Sequence, residues 1–193
     1  MSIPMLRRQH PAQLDPETAE EVRLAMRFLG IPTYRQALPG IHAELRRARR
    51  HQHPLSVVAI SPWGGAEAGG STEDEAQATS PGIVRAPHPS FYLLGSLLRE
   101  VFREKDVMTY AAEQHLFAVV LPETREPGAC CAVARLRDLF HQRAGGQVRT
   151  GAAEFPRDGP TADDLLAEAK RAWEERPLAS VPPSVPLSTV RDA

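Results

Sequence analysis

Cysteine, unbroken apolar runs and an excess of either charge are all scarce in this chain, and each shortage removes a class of function. The 193 residues include two cysteines, Cys130 and Cys131. Neighbours on a segment of helical character diverge and have no metal-ligand spacing, so both read as small core or surface residues. No window approaches the roughly 18 apolar residues of a membrane span. Met1 to Gln13 holds no apolar run of signal-peptide length, so the expected place is the cytoplasm. Lys plus Arg total 23 against 24 Asp plus Glu, a net charge of -1 that gives no global attraction to nucleic acid or an anionic membrane. The seven histidines also fall short of a metal site, since His51-Gln-His53 lacks the remaining ligands of a closed zinc centre. No metal and no cofactor is expected.

What is present is a chain with 42% hydrophobic residues, enough for one domain with a core, plus tails. The 18 prolines collect near the N-terminus, in 62–89 and in the tail, where they mark linkers. Asp15-Pro16-Glu17 supplies a cap, a first-turn proline and an acidic turn, and Gly30 with Pro32 a stop, which predicts a helix over about 16–29. Ala19, Val22, Met26 and Leu29 line one face of it, for packing on its own domain or for a dimerising stalk. A second helix is expected from Pro39 to His51, with Ile41, Leu45 and Ala48 inward and a solvated run of arginines at 46, 47, 49 and 50. Leu55 to Ile60 reads as a buried strand ended by Pro62.

From about 63 to 89 the composition turns to Gly, Ser, Ala, Glu, Pro and Thr, which cannot bury enough surface to offset ordering, and a flexible insertion is expected. A helix with a broad apolar face then runs from Phe91 to Arg103. Strands follow at Val107–Tyr110 and Leu116–Leu121, joined by a wide glycine-free loop. After a connection at 122–127 come a helix over 129–142, a strand over 147–155 and a capped helix over 161–175. The chain therefore divides into an N-terminal segment 1–32, a domain 33–176 and a disordered or extended tail 177–193. The order implies an α+β domain with a mostly antiparallel central sheet flanked by helices.

That order and particular residues in it resemble the GGDEF, or diguanylate cyclase, family. Arg46 to Ile60 is similar to the family's first helix and strand, Phe117-Ala-Val-Val-Leu-Pro-Glu-Thr124 to the strand after its signature loop, and Gly151 to Gly159 with Asp164-Leu-Leu166 to the late strand, turn and last helix. The resemblance covers roughly residues 34 to 176. It implies the nucleotide-cyclase-like fold and a link to cyclic di-GMP signalling.

The departures decide the functional expectation. Such cyclases bind divalent metal through an aspartate at the end of the first strand and an acidic signature residue. This chain has Ser61 at the first position, followed by Pro62 and Trp63. In place of the signature it has Ala112-Glu113-Gln114-His115-Leu116, or the same stretch shifted by one to end at Phe117, and neither register holds the two glycines that let backbone approach a phosphate. Glu113 alone is left as an acidic ligand, and His115 beside it reads as a turn histidine. The family's Phe-Lys and Asn-Asp positions fall in the insertion. A degenerate, non-catalytic module is therefore expected, acting through a protein partner. The alternative is a receptor for cyclic di-GMP, because Arg103-Glu-Lys-Asp106 has the family's Arg-x-x-Asp product-site pattern, a forked guanidinium with a carboxylate acceptor. Lys105 and Arg99 would add positive potential there. Residual cyclase activity stands third.

Overall fold

The computed structural model describes residues 16–63, 89–111, 114 and 116–175. Among these described residues five helices and four strands follow in the order α1 (Pro16–Phe28), α2 (Tyr34–His51), β1 (Leu55–Trp63), α3 (Pro89–Val101), β2 (Val107–Ala111), β3 (Leu116–Pro122), α4 (Glu126–Ala144), β4 (Gln147–Phe155) and α5 (Ala162–Glu175). The strands form one sheet in the order β2-β3-β1-β4, and every neighbouring pair is antiparallel. The α+β expectation holds. None of the described helices is long and apolar enough to cross a membrane.

Both faces of the sheet are covered, so its central strands are apolar on each side. Val58 and Ile60 of β1 with Phe117 and Val119 of β3 meet α1, α3 and α4, where Phe91 stacks on Phe117 at 4.4 Å between ring centroids. Leu55, Val57 and Ala59, alternating with them, meet α2 and α5 through Ile41, Leu45, Leu165 and Ala169. The segment before α2 closes the β2 edge: Tyr110 N–H donates to Pro32 O at 3.1 Å.

Several boundaries differ from the sequence expectation for identifiable reasons. α2 starts five residues before Pro39 because Thr33 and Gln36 form a capping box, each side chain bonding the other's backbone N–H. Pro39 then sits inside the helix. β1 runs past Pro62 to Trp63: pairing with β3 stops at Ile60, while pairing with β4 continues to Trp63 opposite Gln147. Beyond Ile60 one side of the strand is an edge, where a proline's missing N–H costs no ladder bond. α4 begins at Glu126, since Pro127 occupies its first turn, where an N–H has no helical partner. α3 ends at Val101, two residues short of expectation, which leaves Arg103 in a turn. Cys130 and Cys131 are exposed thiols. The expected insertion and the tail lie outside the described residues, apart from Trp63 and Pro89 at the insertion's ends.

Candidate functional site

The C-terminal end of β1 is built by the approach of α5 to the sheet. Gly151 of β4 makes that approach feasible: a Cβ there would lie 2.2 Å from both Ala169 O and Trp173 N, so only a residue without a side chain lets the two backbones meet. With α5 pressed so close, Trp173 reaches across β4 to β1. Its Nε1–H donates to Ser61 Oγ at 3.0 Å, and Ser61 is 4% exposed. Arg149, directly opposite Ser61 in the β1–β4 register, lays its guanidinium over the indole at 4.7 Å from the ring centroid. Its Nη2 also donates to Glu174 O. The place therefore holds a hydroxyl, an indole and a fixed cation. This set does not fit a divalent metal: its one side-chain oxygen is a neutral hydroxyl that already accepts from the indole, and the guanidinium repels a second cation. Among the described residues no group of three or more His, Cys, Asp or Glu side chains could hold a metal ion.

The β2–β3 hairpin lies on the other side of β1. Its ladder closes at Ala111 opposite Leu116, leaving a four-residue connection. Leu116, read from sequence as the end of the signature stretch, is 3% exposed and belongs to the core facing α2 and α5. Gln114 is exposed, and its Oε1 accepts from Lys170 Nζ of α5 at 2.7 Å. Ala112, Glu113 and His115 lie outside the described residues. Beneath the hairpin is a cavity of about 190 Å³ lined by Tyr34, Thr109, Gln114, Leu116, Leu166 and Lys170 among others. Burial pushes the Lys170 ammonium below the ordinary lysine range, and Glu174 opposes that shift. Burial also raises the Tyr34 phenol, helped by its 2.8 Å hydrogen bond to Asp163.

Arg103 and Asp106 occupy the turn between α3 and β2. Asp106 Oδ2 accepts the Arg103 backbone N–H at 2.8 Å, and the Asp106 N–H donates to Arg103 O at 3.0 Å, a closed turn that leaves Asp106 8% exposed. Burial raises the Asp106 carboxyl, while the Arg103 amide and the Arg103 and Lys105 charges pull it down. The Arg103 side chain stays exposed, with no carboxylate of the described residues within ion-pair distance. Lys105 is 3.3 Å from Glu123, which also meets Arg47 at 3.2 Å, so its charge is already countered. Arg99 is exposed on α3.

No protein-family model matches the chain, and no curated protein does. Solved structures do. The active GGEEF domain of a diguanylate cyclase from Vibrio cholerae superposes with a TM-score of 0.55 at 17% identity, over 75% of this chain and 89% of that one. The fold is that of a GGDEF domain. Diguanylate cyclase SiaD of Pseudomonas aeruginosa, solved with its activator SiaC, shares the GGDEF fold at a TM-score of 0.57 and 18% identity, covering 82% of this chain and 62% of its own. The GGDEF domain of DgcB from Caulobacter crescentus, in complex with c-di-GMP, reaches 0.53 at 11% identity, with 75% and 84% covered.

Sequence reasoning placed Ser61 at this end of β1 but missed Trp173, Arg149 and Lys170. Helical spacing puts Trp173 and Lys170 on α5 without saying which strand they cross. Gly151, in an otherwise side-chain-bearing strand, was the available signal for close helix approach.

Proposed function

We infer that this chain is a non-catalytic module on the GGDEF fold that works by binding a protein partner. The observation that carries the reading is the state of Ser61. Where the family resemblance puts a metal-binding carboxylate, a buried hydroxyl accepts from Trp173, and Arg149 holds a positive charge over the same indole. A second cation brought there meets repulsion from Arg149, and among the described residues no group of three or more His, Cys, Asp or Glu side chains could hold it. Partner binding is supported by SiaD, a GGDEF-fold neighbour solved with a protein activator. The test is incubation of the purified chain with GTP and Mg²⁺ or Mn²⁺, followed by chromatography for cyclic di-GMP. No product is expected, and product above the enzyme-free blank overturns the reading.

A second reading, a cyclic di-GMP receptor, is favoured by the exposed Arg103 guanidinium, which has no ion-pair partner among the described residues. With the Asp106 carboxylate committed to its turn, Arg103 supplies the first contact to a phosphate or guanine edge. Calorimetric titration with cyclic di-GMP separates the readings. Binding that Arg103→Ala abolishes without loss of fold selects the receptor, and no heat of binding removes it.

A further inference from the structure

The chain has two lysines, and the fold gives them opposite surroundings. Lys105 is exposed in the turn after α3, with its Nζ 3.3 Å from the Glu123 carboxylate. Lys170 is half-buried on α5 at the wall of the cavity under the β2–β3 hairpin, and its Nζ donates to the neutral Oε1 of Gln114 at 2.7 Å. Among the described residues no carboxylate pairs with it. The two phenols of the cavity, Tyr34 and Tyr110, are pushed up by burial and stay neutral, and Tyr34 gives its proton in a hydrogen bond to Asp163. Glu174, one turn further along α5, favours the ammonium, and the burial of Lys170 outweighs it. An ammonium facing a carboxylate keeps its proton, whereas one desolvated among neutral groups gives it up more readily. Only the neutral amine has a lone pair to offer an electrophile.

The space beside Lys170 suits one class of electrophile. Leu116, Ala118 and Leu166 give the cavity of about 190 Å³ an apolar wall. A small acyl group joined to Nζ sets its methyl against that wall, and the amide N–H that remains still donates to Gln114 Oε1. Acylation also removes a charge that is costly to desolvate. A neutral imine, the product with an aldehyde, would leave Gln114 without its donor. We propose that Lys170 is a site of acylation by a small acyl phosphate, with the acyl group lodged under the β2–β3 hairpin. The Nζ lone pair attacks the acyl carbonyl carbon and forms the C–N bond. The bond from that carbon to the phosphate oxygen breaks, its electron pair leaves with inorganic phosphate, and the surplus Nζ proton passes to water. The donor carries its own leaving group, so the step needs from the protein only a neutral amine and room beside it.

This reaction does not depend on whether the chain works through a protein partner or through cyclic di-GMP. The test incubates the full chain with acetyl phosphate at about pH 8, below the ordinary lysine value of about 10.4. Digestion at glutamate and mass spectrometry then follow acetyl occupancy at Lys170 and Lys105 in the same molecules. Lys170 is expected to be acetylated several-fold faster in the folded chain, and the two at equal rates in urea. Gln114→Glu, at an exposed position, puts a carboxylate beside the amine and should bring Lys170 down to the rate of Lys105 with an unchanged circular dichroism spectrum. The acetylated protein should melt no lower than the unmodified one. Equal or faster reaction at Lys105 in the folded chain overturns the proposal. A preference for Lys170 that persists in urea also overturns it, because it would then come from the local sequence and not from the cavity. Full reactivity of Lys170 in Gln114→Glu overturns the role of the neutral partner, and a fall in melting temperature on acetylation overturns the lodging of the acyl group under the hairpin.

Discussion

At Ser61 the relevant quantity is what happens to the indole N–H of Trp173 when its acceptor is removed. A half-buried donor left unpaired costs about 1 kcal/mol or somewhat more. Ser61→Ala and Trp173→Phe should each destabilise the domain, the second while keeping a ring under the Arg149 guanidinium. Made together they should be less costly than their sum by about 1 kcal/mol, because the same hydrogen bond is deleted twice. Urea denaturation of the four proteins measures this, and strict additivity would mean that the two side chains do not interact. Lys170 gives a prediction in pH. The chain has two lysines, Lys105 and Lys170, so the ammonium of Lys170 is easily followed. Burial lowers its pKa in the fold, whereas in the unfolded chain it titrates near the ordinary value of about 10.4. Between those two values the unfolded chain binds more protons, and stability rises with pH. Lys170→Met should abolish that rise, so wild type gains on the variant as pH increases through the window. A difference between the two that stays flat with pH would show that Lys170 is solvated. Neither role was legible in sequence, where Lys170 is one polar residue on an amphipathic helix. The cavity that desolvates it exists only once the β2–β3 hairpin is folded over α5.

Among elements, the α5–β4 contact decides where the site's side chains fall. Gly151→Ala would bring a methyl group within 2.2 Å of the backbone of α5, and backbone cannot rotate away as a side chain can. Overpacking of this kind costs about 3 kcal/mol. The variant should lose that much in chemical denaturation and, with α5 displaced, lose the shielding of the Trp173 indole from added quencher. A cost under about 1 kcal/mol would show that α5 sits further out. The elements themselves were largely readable: β3 and β4 show their apolar residues plainly, and the Thr161 to Asp164 box announces α5. What misled were prolines. Pro39, Pro62 and Pro127 each read as an end, yet one lies inside α2, one on the half-edge of β1 and one in the first turn of α4. Whether a proline stops an element depends on whether its missing N–H had a partner, and that is set by neighbours distant in sequence.

For the whole molecule, the two cores on either face of the sheet are built from described residues of 16–63, 89–111 and 116–175, and the contacts of β1 with β3, β4, α3 and α5 account for the centre of the domain. The sequence between, residues 64–88, has few large apolar groups, the composition from which a flexible insertion is expected. We propose that its contribution to stability is mainly the entropy of closing a loop, which changes slowly with length. Replacing 64–88 by a Gly/Ser connector of about 12 residues, which can span up to roughly 40 Å, should leave the fold intact and gain about 0.6 kcal/mol from the halved loop. The thermal midpoint should hold steady or rise by a few degrees. A fall of more than about 10 °C would place residues of this segment among those that pack the domain, and would reopen the nucleotide face of the sheet to groups from 64–88.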